Sequence, residues 1–148
     1  MSTATTDSLA MRQAATFRVG DEWFGIDVLK VQEVLAALRR TAIPQAPRYV
    51  LGLINVRGSI VTAISVKNRL AFPDEVYGED HLHIVLDSAH GLVSLVVDEI
   101  GDVLDVDPGA VAERPPTLSG PLRDLVVGVL RRDGSLVTLL DADRLIAP

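Results

Sequence analysis

Cysteine is missing altogether from the 148 residues. That excludes disulfides, thiolate metal sites and a cysteine nucleophile, and it accords with a cytoplasmic setting. Aromatic residues are scarce, at 4% of the chain against 48% apolar residues in total. Any core is therefore built from Val, Leu, Ile and Ala, and the chain is long enough to bury one of ordinary size. No apolar run reaches the length that spans a bilayer, so membrane insertion is not expected. Nor does a basic segment followed by an apolar stretch open the sequence, as a secretory signal would. Cations are in the minority. A net charge of −6 leaves no basic stripe to neutralise phosphates, which argues against nucleic acid as a partner.

What the chain has in abundance is short, strand-like apolar runs. Leu51–Val56 and Ser59–Val66 flank Arg57-Gly58 and read as a β-hairpin, with Gly58 free to take the positive φ of a tight turn. Arg57 is a charge at the tip of two apolar strands. It belongs outside the core, either as a solubilising arginine on a surface turn or on rigid supports where a partner can touch it. Upstream, Thr16–Val19 and Trp23–Ile26 read as strands joined at Gly20-Asp21. A helical turn from Asp27 and a strand from Val31 follow, until Pro44 and Pro47 bar regular structure.

Downstream, Pro73–Glu79 reads as a polar turn region, His81–Leu86 and Leu92–Val97 as paired strands, and Asp98–Val106 as extended. Asp107 as N-cap with Pro108 at the first helical position predicts a short helix to Ala112, broken by Pro115-Pro116. Leu125–Leu130 and Leu136–Leu140 form a last hairpin, and Asp141–Ile146 a terminal helical turn. Met1–Ala14 lacks sustained periodicity and is expected to be a disordered tail, leaving residues 15–148 as one domain. The pattern is all-β, a barrel or sandwich rather than βαβ units. Ile54, Val56, Ile60, Ile64, Leu95, Val97, Val127 and Leu139 are the expected inward positions.

Chemistry is sparse. His81 and His83 share one face of a strand, with Asp87 beyond, and offer a candidate metal site that no spacing motif completes. The alternative is a solvent-facing strand edge. Asp98, Glu99, Asp102, Asp105 and Asp107 lack the order of a calcium loop and read as a solvated acidic rim. No Gly-rich phosphate loop and no recognisable Ser-His-Asp set is present, so neither an enzyme nor a cofactor is indicated.

Four segments carry a resemblance. Gly20–Val34 (G-D-E-W-F-G-I-D-V-L-K-V-Q-E-V), Ile43–Val61 (I-P-Q-A-P-R-Y-V-L-G-L-I-N-V-R-G-S-I-V), Val96–Val106 and Leu136–Ile146 resemble the CheW-like family of chemotaxis coupling proteins. The resemblance implies two intertwined five-stranded SH3-like barrels sharing a core. It implies a cytoplasmic adaptor without catalysis, linking the cytoplasmic tips of methyl-accepting chemoreceptors to the regulatory domain of the histidine kinase CheA. Packing with other CheW-like domains in receptor arrays is part of the same picture. Carried over by motif, Val31, Gly52 and Val103 match receptor-facing groove positions. Glu33 matches an acidic position that pairs with the hairpin arginine, here Arg57, and Asn55 and Gly58 belong to the same I-N-V-R-G motif. Two positions depart from the family pattern: Thr62 stands where proline is usual, and Ser65 where aspartate is usual. A divergent coupler of a non-standard chemosensory pathway, or an array-filling member, is the alternative those departures raise.

Overall fold

Strands that bury both faces need no alternation, and the two most apolar runs of the chain behave this way. In β6 (Leu82–Ser88) and β7 (Gly91–Val97), Ile84, Leu86, Leu95 and Val97 face one core while Val85 and Val96 are buried on the other side. They form the middle of the second of two sheets in this computed structural model, which describes residues 11–36, 38–70, 81–88, 91–113 and 120–147. Residues 1–10, Pro73–Glu79 and Pro115-Pro116 lie outside the described residues.

The chain starts in the first sheet with β1 (Gln13–Val19) and β2 (Glu22–Asp27), paired antiparallel across Gly20-Asp21. The Asp27 side chain accepts from the Leu29 backbone N–H at 3.0 Å and starts one 3₁₀ turn, Val28–Lys30. The chain then crosses to the second sheet as β3 (Val31–Leu35), β4 (Val50–Val56) and β5 (Ser59–Ser65). A four-residue helix, α1 (Val66–Arg69), precedes β6 and β7. The second sheet runs β3-β6-β7-β5-β4, with β5 and β7 parallel.

From β8 (Glu99–Asp105) onward the chain returns to the first sheet. β9 (Val111–Ala112), α2 (Pro121–Leu125), β10 (Val126–Arg132), β11 (Ser135–Leu140) and α3 (Ala142–Ile146) follow. That sheet is ordered β8-β1-β2-β11-β10-β9, and its β2–β11 pairing is parallel. It therefore holds six strands where five were expected, the addition being the two-residue β9.

Each sheet has a small core of its own. Met11, Ala14, Leu130, Val137 and Leu139 fill the first, and Ile54, Val56, Val61, Ala63 and Val96 the second. Between them lies a larger shared core containing Phe17, Phe24, Ile26, Ile64, Ile84, Leu95, Leu140 and Leu145. The two intertwined SH3-like units are thus confirmed. Among the described residues no helix is long and apolar enough to cross a membrane.

Four expectations need correction. Residues 11–14 are not tail: Met11 and Ala14 are buried, and Val106 donates its N–H to the Arg12 carbonyl at 2.8 Å. The predicted helix Asp107–Ala112 is a single 3₁₀ turn, Pro108–Ala110, capped as expected by Asp107, because Val111 and Ala112 pair with β10 instead. Ile60 is 66% exposed although Ile64, on the same face of β5, is buried, since it sits next to the hairpin tip beyond the reach of either core. Val127 is half-buried against the first core, while the other six expected positions are buried.

Candidate functional site

The β4–β5 hairpin closes through two residues. Val56 pairs with Ser59, leaving Arg57 and Gly58 as the loop, with φ of 53° and 88°. Positive φ at both central positions is the pattern of a type I′ turn, whose twist matches that of the flanking strands. No neighbour lies within 4 Å of a Cβ built on Gly58, so glycine serves conformation there and not space. Arg57 adopts the left-handed region without that freedom. The Asn55 side chain accepts a hydrogen bond from the Gly58 N–H at 2.9 Å.

From this tip the Arg57 side chain reaches Glu33 on β3, Nη2 to Oε2 3.0 Å, with side chains 79% and 24% exposed. β3 and β4 are the two outer strands of the five-stranded sheet, so the ion pair spans its seam. Below it, Leu35 packs against the cluster that holds Ile54 and Val56. A pair this exposed adds about 0–1 kcal/mol to stability.

Gly52 lies further down β4 with φ 146°, and a Cβ there would meet the Thr41 carbonyl oxygen at 2.6 Å. Thr41 bridges to Leu53 by reciprocal backbone hydrogen bonds of 2.8 Å, covering the outer edge of β4. Gly52 thus permits the close approach of a second backbone. Val31 is half-buried against the shared core, whereas Val103 is 50% exposed on β8, an edge of the other sheet. The structure therefore gathers Glu33, Asn55, Arg57 and Gly58 at one tip, keeps Val31 and Gly52 on the strands leading to it, and sets Val103 on the opposite sheet.

The departures from the family motif lie inside the fold. Ser65 is fully buried, and its hydroxyl accepts from the Asn68 N–H at 3.1 Å, capping α1. It supplies the acceptor an aspartate would supply, so the substitution leaves the start of α1 intact. Thr62 is half-buried between β4 and β7 in the body of the sheet. The sequence also hid Arg69: its Nε donates to the Leu145 carbonyl at 3.1 Å and its guanidinium stacks over Tyr49 at 5.2 Å, tying α1 to the end of α3. The cap was foreshadowed by Ser65 three residues before Asn68, whereas nothing local announces Arg69.

The histidines do not form the metal site that was considered, nor a solvent-facing edge. His81 Nε2 pairs with Asp98 Oδ1 at 2.8 Å, while His83 is fully buried with Nδ1 2.9 Å from Ser94 Oγ. Asp87 is exposed, and the described residues contain no group of three or more potential ligands. Burial, then the Arg40 guanidinium and His81, lower the His83 pKa to about 4. The polar tip itself pairs a guanidinium with a carboxylate.

Comparison with known proteins decides the family. The model of the CheW-like domain matches residues 13–147. The chain belongs to the CheW-like family. It is 32% identical over 132 residues to the chemotaxis protein CheW of Rhizobium meliloti, covering 89% of this chain and 85% of that protein. Against the probable chemotaxis protein CheW of Rhizobium etli it is 29% identical over 136 residues, covering 92% and 88%. The crystal structure of the scaffolding protein TtCheW from Thermoanaerobacter tengcongensis superposes with a TM-score of 0.80 at 24% identity, over 93% of this chain and 94% of that one. Its six- and five-stranded sheets are the CheW-like fold.

Proposed function

We propose that this CheW-like chain is a cytoplasmic, non-catalytic adaptor that binds the regulatory domain of the histidine kinase CheA and the cytoplasmic tip of a chemoreceptor. The β4–β5 hairpin tip is a principal contact. The observation that carries the reading is Arg57, mostly exposed yet fixed by a tight turn and by Glu33. A guanidinium presented this way suits a carboxylate or carbonyl-rich surface, to which it can donate with its free N–H groups. Val103, half-exposed on β8, and Val31 are carried as further partner-facing positions, whereas Gly52 is buried beneath the Thr41 segment and supports the strand that carries the tip.

Isothermal titration of the purified chain against both partners, with melting curves alongside, tests it. Arg57→Glu keeps a long polar side chain at an exposed place but loses the Glu33 pair, so stability falls by about 0–1 kcal/mol, far short of unfolding the chain. Reversing the charge repels the complementary surface and weakens binding at least about tenfold if the contact is desolvated. A wild-type chain that binds neither partner is an array-filling member and overturns the adaptor reading. Unchanged binding by Arg57→Glu moves the contact away from the hairpin.

A further inference from the structure

The hairpin tip raises a question of division of labour. Arg57 is a non-glycine residue at φ 53°, a conformation that costs an L-residue free energy and persists only where surrounding structure imposes it. Gly58 permits the turn but does not enforce it, since glycine visits many conformations. The two-residue loop pairs Val56 with Ser59, which leaves the Gly58 N–H pointing out of the ladder. The Asn55 carboxamide oxygen takes up that N–H at 2.9 Å. Asn55 is itself exposed and stands opposite Ile60, so its side chain lies on the outer face of the hairpin and not in a core.

We infer that Asn55 is a positioning residue, whose side chain locks the left-handed turn and so aims Arg57 across the seam at Glu33 and toward the partner. This rests on the adaptor reading above and assigns the asparagine of the hairpin motif a role distinct from contact. It follows that an acceptor, and not an amide as such, is what position 55 requires. Asn55→Asp retains the oxygen in the same place, whereas Asn55→Ala removes it.

A double-mutant cycle on the full chain tests the inference, with the kinase regulatory domain as titrant and amide hydrogen exchange of Gly58 measured in parallel. In Asn55→Ala the Gly58 amide loses protection and the dissociation constant rises about three- to tenfold, the range that loss of one hydrogen bond implies. Asn55→Asp retains both the protection and the affinity. In an Arg57→Ala background, Asn55→Ala has no further effect on binding, because it acts through the arginine. Additive effects of the two substitutions make Asn55 an independent contact and overturn the inference. So does a Gly58 amide that remains protected in Asn55→Ala. If Arg57→Ala alone leaves binding unchanged, the site assignment fails, and the exchange of the Gly58 amide still decides whether Asn55 holds the turn.

Discussion

His83 shows how little a residue's type says about its surroundings. Read from spacing, it belonged to a strand face shared with His81. In the fold it lies fully buried in the second sheet beside Ser94, and its Nε2 meets no hydrogen-bond partner among the described residues. Burial disfavours the imidazolium, with Arg40 and His81 adding to the effect, so the folded-state pKa of about 4 lies below the ordinary 6.5. Between those values the unfolded chain binds more protons than the folded one, and stability falls as pH falls. The contribution is intact above about pH 6.5, and roughly 1 kcal/mol of it is gone by pH 5.5. An NMR titration of the imidazole checks this: a midpoint near 6.5 means that the ring is solvated. Ile60 carries the same lesson in reverse. Alternation along β5 was legible, but depth along the strand was not, because distance from the core is set by partners remote in sequence.

Elements were more legible than residues. The hairpin with Arg57-Gly58 at its tip, the helical turn after Asp27, the cap at Asp107 and the terminal helical turn from Asp141 all follow from local chemistry, and the structure has each of them. What escaped were elements created by neighbours. β9 exists because β10 offers it a ladder, and α1 is anchored because Arg69 reaches the Leu145 carbonyl at the far end of the chain. The importance of Gly52 belongs here as well, since its cause, the Thr41 carbonyl, reaches it from another segment. Gly52→Ala would force a Cβ against that backbone oxygen at a φ alanine rarely adopts. A cost of about 2 kcal/mol or more is expected in urea unfolding, with loss of amide protection at Thr41 and Leu53. A variant as stable as the parent would show that the segment around Thr41 yields freely.

At the scale of the molecule, the family motifs conveyed the two-unit architecture, which strand counting alone left as barrel or sandwich. The large shared core has a thermodynamic consequence. Ile64, Ile84 and Leu95 of the second sheet pack with Phe17, Phe24 and Leu140 of the first, so neither unit can lose its structure without exposing the other's apolar face. One cooperative transition is expected. Fluorescence of Trp23, the sole tryptophan, reports on the first sheet, and amide exchange in β6 and β7 on the second. Two separated midpoints would mean that the units unfold independently. The same interleaving constrains how the chain is made. β1 and β2 leave the ribosome early, yet β2 finds its parallel neighbour only when Val137–Leu139 have been translated, and β1 must wait for β8. The nascent chain thus carries β1 and β2 without their strand partners β8 and β11 until those segments have been made. A ribosome stalled before β11 would hold a polypeptide open to holdase chaperones and proteases, and the first sheet is completed only once β11 has been made.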